Sequence, residues 1–420
     1  MLRHSTFLEV RLPHIAHNIQ LIRSHYAPAA TLIAMVKGNA YGNGLERVAG
    51  YLHERCRVDH LGVASLGEAL AVLQAHAHTI DTGRDNRVIV FSDTELMSES
   101  LHHVYTDQNA KHHAGRGAQL VPVLGSEEQL QLFCRHRRTA FKHTPLYVKV
   151  NTSMNRLGLT PERLVELAPL LRENGGVDVL FQHFSASGLI GHSFTKTQYD
   201  AFQQVKAALK DAGVEVRGTS ASNSGAIEQR LGVEETYVRP GLMLYGPTSI
   251  VASSITAAEA DQYRLWDGKC CGYFYTKVLH HYVAKAGSYI GYGMTRNLVP
   301  EDAVIVLIPV GYADGFMRYF CGMPVAVSPA PPTGHEDDPD VKAGALVGVV
   351  HGNVNMDMTA VAVFPSEVKK SVEEIMSIVR DESRILVWGS DVAEKATAVK
   401  SIPYQLMCGL STRVPRLYVE

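Results

Sequence analysis

The chain has 420 residues, of which 46% are hydrophobic and 20% are charged, a composition typical of a globular protein with two domains. Its formal net charge of -2 provides no basic surface for nucleic acid or for an anionic membrane. These values favour a protein that acts on a small molecule.

The N-terminal segment bears on the location of the protein. Arg3, Glu9 and Arg11 interrupt its apolar residues, so a secretory signal peptide is not predicted. The longest apolar run, at residues 303–309, is too short for a membrane span. We therefore expect a cytoplasmic protein that does not insert into a membrane.

After a possible strand at residues 6–10 and a helix at 12–26, eight short apolar runs follow one another. Helical patterns separate most of them, with start signals at Ser65-Leu-Gly-Glu68, Ser126-Glu-Glu-Gln129 and Thr160-Pro161. The predicted strands are residues 32–36, 61–65, 87–92, 119–124, 146–152, 179–184, 215–221 and 237–244.

Eight strand–helix units predict an α/β fold, a closed (β/α)8 barrel of the TIM type, over residues 1–248. A doubly wound open sheet is the alternative, although the chain lacks a Gly-x-Gly-x-x-Gly motif after its first strand. The connection at residues 102–117 contains two histidine pairs. Because no cysteine completes a ligand set with these histidines, this segment predicts a solvated loop and no metal site.

From about residue 249 the helical periodicity gives way to runs rich in valine, tyrosine and glycine. They predict a mostly β domain over residues 249–420. Its predicted strands are residues 271–282, 303–310, 346–350, 359–364 and 384–387, and a proline-rich exposed loop is predicted at 328–340.

The first barrel strand runs into Val36-Lys-Gly-Asn-Ala-Tyr-Gly-Asn-Gly44. Lys37 thus lies at the carboxyl end of a strand, where barrels place their active sites. Desolvation at such a position lowers the pKa of a lysine and makes its neutral amine available to an aldehyde or a proton. A structural lysine that extends into solvent is the alternative interpretation.

Other chemically active side chains follow later strands. Predicted strand five carries Lys149 and leads to Arg156, strand six carries His183, strand seven leads to Ser224, and strand eight carries Arg239. Two arginines, a lysine amine and a hydroxyl at a helix start suit an aldehyde cofactor that carries a phosphate.

Several segments resemble, in the same order, motifs of the alanine racemase family. The Lys37 segment resembles the family's pyridoxal-phosphate-binding segment, and residues 149–158 resemble its Lys-x-Asp-Thr-Gly-Met-x-Arg-x-Gly segment. The other matching segments are residues 182–184, 222–224, 238–246, 291–293, 309–315, 355–357 and 411–416. The resemblance covers nearly the whole chain.

The resemblance implies that the barrel binds pyridoxal phosphate. Lys37 would bond to the aldehyde, Arg239 would face the ring nitrogen, and Arg156 would bind the phenolic oxygen and the substrate carboxylate. His183 belongs to the same predicted cofactor site. The implied phosphate ligands are Tyr41, Ser224, Tyr245 and the backbone of Gly241 and Leu242.

The resemblance also implies that alanine is racemised by two bases on opposite faces of the substrate. Lys37 would be one base, and Tyr292 from the second subunit of a homodimer would be the other. Tyr312 and Met356 would line the substrate pocket with it, and Lys149 is a candidate for carbamylation.

Two alternatives share parts of this pattern. A pyridoxal-phosphate decarboxylase of the same architecture needs a protonated ring nitrogen, which an arginine donor at position 239 opposes. A non-catalytic pyridoxal phosphate carrier would not need the second domain.

Some residues depart from the family pattern. Asn151 and Ser153 replace Asp and Gly, and Ser220 replaces a histidine beside Arg239. Asn355 and Thr412 stand where cysteine and a bulky tyrosine are usual. These last two substitutions predict a substrate pocket that accepts serine as well as alanine.

Overall fold

A computed structural model describes residues 5–76, 84–251, 266–294, 297–329, 345–381 and 383–420. The chain divides into two compact units. His14–Lys269 forms one, and Met1–Pro13 together with Cys270–Glu420 forms the other.

The unit His14–Lys269 contains, in the part that the structure describes, eight parallel strands closed into a barrel. Each strand pairs with the next along the chain, and the last pairs with the first. With β1 as Phe7–Arg11 in the other unit, the barrel strands are β2 (Thr31–Met35), β3 (His60–Val63), β4 (Arg87–Val90), β5 (Gln119–Leu124), β6 (Tyr147–Lys149), β7 (Val177–Phe181), β8 (Val216–Asn223) and β9 (Tyr237–Arg239).

Helices alternate with these strands. They are α1 (Leu12–Leu21, continued by a π-helical turn at Ile22–Tyr26), α2 (Leu45–Glu54), α3 (Leu66–Ala75), α4 (His102–His113), α5 (Glu127–Arg135), α6 (Pro161–Glu166), α7 (Ala168–Glu173), α8 (Ser193–Asp211) and α9 (Ser224–Glu228). Short 3-10 turns lie at Glu95–Met97, Glu99–Leu101 and Leu242–Tyr245. The predicted helix starts are confirmed, because the side chains of Ser65, Ser126 and Thr160 each accept a backbone hydrogen bond. The predicted barrel is confirmed as well.

The loop predicted at residues 102–117 is wrong over most of its length, because His102–His113 is the helix α4. Its buried residues are His102, Tyr105 and Asn109, so polar groups occupy two of its inward positions. The Asn109 side chain accepts from Leu120 N (2.8 Å) and donates to Leu120 O (2.9 Å). Hydrogen bonds to β5 therefore anchor α4 in place of an apolar stripe.

The second unit is built on a nine-stranded sheet of described residues. Besides β1, its strands are β10 (Gly272–Lys277), β11 (His280–Ala284), β12 (Ala303–Ile308), β13 (Pro324–Ser328), β14 (Leu346–Val350), β15 (Thr359–Val363), β16 (Arg384–Trp388) and β17 (Arg416–Val419). Their order in the sheet is β11-β12-β15-β14-β13-β16-β10-β1-β17. The helices are α10 (Pro365–Val368), α11 (Val372–Ile378), α12 (Val392–Ala398) and α13 (Pro403–Gly409). This mostly β unit agrees with the predicted fold class.

The observed units differ from the predicted division at residue 248, because the N-terminal strand belongs to the sheet. β1 pairs antiparallel with β10 and parallel with β17. Leu8 and Val10 are buried, and the Arg11 guanidinium lies 3.9 Å from the centre of the Tyr273 ring. Pairing with residues so distant in sequence leaves no local signal.

The predicted loop at residues 328–340 lies outside the described residues from position 330 onward. Among the described helices, none combines the length and the apolar character needed to cross a membrane.

Candidate active site

Lys37 follows β2 and opens a turn of unusual backbone conformation. Gly38, Asn39, Ala40 and Tyr41 are all left-handed, with φ between 53° and 62°. A left-handed conformation costs a residue other than glycine about 1–2 kcal/mol. Three such residues in succession therefore require support from their surroundings.

Hydrogen bonds and ring stacking supply that support. The Glu68 carboxylate accepts from Gly38 N (2.7 Å) and Asn39 N (3.4 Å). Asn39 Oδ1 accepts from Leu45 N at 2.8 Å, at the start of α2. The Tyr41 ring stacks on Tyr245, with ring centres 4.9 Å apart. The turn that carries Lys37 is thus held on several sides.

The predicted phosphate ligands lie together at the ends of β8 and β9. Ser224 Oγ accepts from Gly241 N at 2.8 Å, and the Tyr245 hydroxyl donates to Met35 O at 2.9 Å. A Cβ on residue 241 would overlap the Tyr41 hydroxyl oxygen, so this close approach requires glycine. Leu242 begins the 3-10 turn that follows. Hydroxyl and backbone N–H groups of this kind suit a phosphate.

Arg239 is buried and held by neutral acceptors. It donates to Ser220 Oγ, to Gln182 O at 2.6 Å and to Ala221 O at 3.2 Å. Burial lowers the pKa of Arg239 to about 9, which leaves the guanidinium protonated at neutral pH. These acceptors fix its orientation without neutralising its charge.

Lys149 lies among other cations at the end of β6. Burial, followed by the positive charges of Arg239, Arg156 and Lys37, lowers the pKa of Lys149 from 10.5 to about 7. Burial and the same positively charged neighbours lower the pKa of His183 well below its usual value. Five side chains predicted from the sequence are therefore brought together, and their combined charge suits an anionic ligand.

The lowered pKa of Lys149 predicts a pH dependence of stability in the cofactor-free protein. The folded state releases the Lys149 proton near pH 7, whereas the unfolded state holds it up to about pH 10. The free energy of unfolding should therefore fall by up to about 4 kcal/mol from this group as the pH decreases from about 10 to about 7, and should be insensitive to it below pH 7. Urea unfolding across this range measures the effect.

Lys149→Met should flatten that part of the pH profile. Lys142→Met removes a solvent-exposed lysine and is the matched control. Equal pH profiles for wild type and Lys149→Met would show that Lys149 is not the cause.

The loop after β6, which carries Arg156, contains further left-handed residues. Ser153 has φ of 71° and Asn155 has φ of 54°. Asn151 Oδ1 accepts from Asn155 N at 2.9 Å, which closes the loop. Ser153 stands where the related motif has glycine, so the loop keeps a conformation that serine disfavours.

Ser153→Gly should therefore stabilise the protein by about 0.5–1 kcal/mol, the relief of the left-handed strain less the added freedom of the unfolded chain. Thermal unfolding measures this gain. The matched control is Ser98→Gly, also at an exposed position but with φ of -92°, where we expect a small loss of stability. Destabilisation by both substitutions would contradict the interpretation.

The predicted substrate residues of the second unit converge around one ion-pair cluster. Tyr312 N donates to Asn355 O (2.9 Å), which joins Tyr312 to the segment that carries Met356. Arg413, next to Thr412, pairs with Asp314 (3.0 Å) and Asp357 (2.7 Å). Tyr312, Asn355, Met356 and Thr412 thus come from segments that are joined to one another.

Tyr292 lies in a neighbouring loop of the same unit. Asn353 Nδ2 donates to Tyr292 O at 2.9 Å, which ties this loop to the segment before Asn355. The Tyr292 side chain is 67% exposed, and those of Met356 and Tyr312 are 54% and 42% exposed. Large apolar side chains grouped on a surface indicate contact with another molecule.

Comparison with known proteins identifies the family. The family model for the alanine racemase N-terminal domain matches residues 10–249, and the model for the alanine racemase C-terminal domain matches residues 273–418. The chain belongs to the alanine racemase family. Both matched domains contain the clusters described above.

Alanine racemases from distant organisms align with nearly the whole chain. The enzyme of Chlorobaculum tepidum is 28% identical over 418 residues, which cover 98% of this chain and 94% of the relative. The enzyme of Methanococcus maripaludis is 27% identical, with full coverage of both chains. The crystal structure of the biosynthetic alanine racemase from Pseudomonas aeruginosa matches with a TM-score of 0.76 and 26% identity, and both chains are fully covered.

The structure adds residues to the alanine racemase motifs that sequence reasoning missed or used otherwise. Glu68 was predicted only as a helix-capping residue, although it also supports the turn after Lys37. Gln182 was only part of a matched segment, yet its carbonyl oxygen holds Arg239. The opposite charges of Asp314 and Arg413, within two matched segments, were a signal for their pairing.

Proposed function

We propose that this member of the family is a pyridoxal-phosphate-dependent racemase that interconverts L- and D-alanine. The observation that carries the proposal is the convergence of Lys37, Lys149, Arg156, His183 and Arg239 in the barrel unit. Family membership over both domains supports the same activity. The implied location is cytoplasmic, which cell fractionation would test.

The residues of the barrel fit the proposed cofactor. Ser224, Gly241, Leu242, Tyr41 and Tyr245 would hold the phosphate. Ser224 bonds to Gly241, the Tyr41 hydroxyl lies against Gly241, and the Tyr41 ring stacks on Tyr245. When bound, pyridoxal phosphate supplies delocalisation of the negative charge that remains at the α-carbon after proton loss. Lys37 would anchor its aldehyde and Arg156 its phenolic oxygen.

The hydrogen-bonding chemistry of Arg239 bears on the type of reaction. A guanidinium donates hydrogen bonds and cannot accept them, so Arg239 would keep a ring nitrogen beside it unprotonated. An unprotonated ring nitrogen would weaken the withdrawal of electrons from the substrate. It would therefore disfavour loss of carbon dioxide or transfer of the amino group. Return of the α-proton is then the favoured outcome.

Racemisation requires a proton carrier on each face of the substrate. The Lys37 amine would take or deliver the proton on one face, and the hydroxyl of the partner's Tyr292 would do so on the other. Arg156 would bind the substrate carboxylate and hold the α-carbon between them. The exposed Tyr292, Met356 and Tyr312 side chains support a homodimer with shared sites.

An optical-rotation assay tests the proposed activity. The purified holoenzyme should bring a solution of L-alanine to zero rotation while the amino-acid concentration stays constant. A decarboxylase would consume the amino acid, and a carrier protein would leave the rotation unchanged. Either of these results would overturn the proposal.

Carbamylation of Lys149 is part of the same proposal. The pKa of Lys149, lowered to about 7, leaves much of its amine neutral and able to react with carbon dioxide. The resulting anion would complement Arg156 and Arg239. Isotope-labelled bicarbonate should give a carbamate NMR signal in the wild type that Lys149→Met lacks; equal spectra would exclude the modification.

We further propose that the substrate range includes serine. Thr412 is exposed on its own chain and lies next to Arg413, which pairs with Asp314 and Asp357. A small residue leaves room beside the substrate side chain, and a hydroxyl is able to bond to that of serine.

Thr412→Tyr should lower the ratio of kcat/KM for L-serine to that for L-alanine by roughly tenfold to two-hundredfold, the range for one changed pocket contact. Thr412→Val keeps the side-chain volume and removes the hydroxyl. It therefore distinguishes the effect of a larger pocket from the effect of a hydrogen bond to the serine hydroxyl. An unchanged ratio in a folded, cofactor-loaded Thr412→Tyr enzyme would remove Thr412 from the explanation.

A further inference from the structure

The helix start at Ser65 resembles two others in the described part of the chain. At Ser65, Ser126 and Ser371 the hydroxyl accepts from the N–H three residues later, and the side chain at that later position accepts a backbone N–H in return. These later residues are Glu68, Gln129 and Glu374, which accept from Ala64 N (2.8 Å), Gly125 N (2.9 Å) and Ser371 N (2.6 Å). Because Gln129 accepts this backbone hydrogen bond at the start of α5, an amide side chain is sufficient for the capping role.

Glu68 has a second set of contacts that a glutamine could not reproduce. Oε2 accepts from Ala64 N, while Oε1 accepts from Gly38 N and Asn39 N. An amide has a single acceptor oxygen, so its NH2 group would face either the Ala64 N–H or the two N–H groups of the turn. The requirement for a carboxylate therefore comes from the turn after Lys37 and not from the helix cap.

The contacted turn is also the most strained segment next to the candidate site. Gly38 and Asn39 are its first two left-handed residues and directly follow Lys37. Their N–H groups fix the direction in which the backbone leaves Lys37, and hence the direction of its side chain. Glu68 joins this turn to the start of α3, an element of the rigid barrel.

We propose that Glu68 is a positioning residue for Lys37, which it orients by accepting hydrogen bonds from the left-handed turn. The role of Lys37 in cofactor binding rests on the function proposed above. The clamp itself, between one carboxylate and two backbone N–H groups, does not depend on that function.

The test compares Glu68→Gln with Glu374→Gln. Both are isosteric changes in a capping box, but Glu374 is exposed and caps α11 in the other unit. In Glu68→Gln, amide exchange of residues 38 and 39 should accelerate by roughly tenfold, the change expected for one lost charge-assisted hydrogen bond. The Glu374→Gln protein should exchange these amides like the wild type.

Two cofactor readouts test the positioning role. Glu68→Gln should bind pyridoxal phosphate roughly tenfold more weakly. The pH midpoint of the visible absorption band of the bound cofactor should also move to lower pH, because a negative charge near its point of attachment is lost. Glu374→Gln should leave the affinity and the midpoint unchanged, and Glu68→Asp should not restore them because its carboxylate is one methylene shorter.

Each result bears on a different statement. If Glu68→Gln matches Glu374→Gln in amide exchange, there is no clamp and the inference is wrong. Faster exchange with unchanged affinity and pH midpoint would show a clamp without a positioning role, which also overturns it. A wild-type protein that binds no pyridoxal phosphate at Lys37 would refute the proposed function, while the exchange measurement would still decide whether the clamp exists.

Discussion

Replacing Lys37 with alanine should lower kcat/KM for alanine racemisation by at least roughly a thousandfold, because one side chain is expected both to anchor the cofactor and to move a proton. Lys37 lies two residues after Met35, the last residue of β2, on a turn that is held by Glu68 and by the Tyr41–Tyr245 stack. A positioned proton carrier alone contributes about a hundredfold to ten-thousandfold.

The attachment point is tested separately from the rate. Borohydride reduction of the cofactor-loaded wild type should fix pyridoxal phosphate to the peptide that contains Lys37. Lys142→Ala, at an exposed position, should leave both the label and the rate unchanged. A label on Lys149, or none at all, would contradict the assignment of Lys37.

Mixing two inactive variants should restore activity if the sites are shared between subunits. Lys37→Ala removes a group in the barrel unit, and Tyr292→Phe removes a hydroxyl in the sheet unit. After subunit exchange at equal concentrations, half of the dimers would be mixed, and each would have one intact site of two. The expected recovery is therefore about a quarter of the wild-type activity.

The control mixes Lys37→Ala with Arg239→Ala. Both residues lie in the barrel unit of one chain, so no mixed dimer would contain an intact site. Recovery in the first mixture and not in the second supports a site to which the partner contributes Tyr292. No recovery in the first mixture, despite exchange confirmed by mass spectrometry, would refute the shared site.

Features with local causes were predictable from the sequence. The cap residues Ser65, Ser126 and Thr160 begin helices as expected, because a hydroxyl that satisfies a free N–H acts within a few residues. The barrel strands were found for a similar reason, since parallel strands buried on both faces give continuous apolar runs. Several strands begin or end a few residues away from their predicted bounds.

Features that depend on distant or polar contacts were not predictable. α4 was missed because its inward positions include His102 and Asn109, which bond to backbone groups instead of forming an apolar stripe. The strands β13 and β17 were also missed. The place of β1 was not foreseen, since its neighbours β10 and β17 lie far along the chain.

The candidate site also contains both predictable and unpredictable features. Lys37, Lys149, Arg156, His183 and Arg239 were selected by their positions at strand ends, and the structure brings them together. The left-handed turn was not foreseen, because Asn39, Ala40 and Tyr41 individually favour other conformations. Its support by Glu68 required knowledge of which strands are adjacent. The chemical roles of all these residues stay predictions until the experiments above are made.

The position of β1 has a consequence for folding during synthesis on the ribosome. Residues 7–11 emerge before the barrel strands, but their register pairs Glu9 with Tyr273 and with Leu417, which emerge long afterwards. The barrel strands, all within residues 31–239, are complete well before then. β1 can therefore take its place between β10 and β17 only after all the barrel strands have been synthesised, and Leu8 and Val10 wait until then for their neighbours in the sheet.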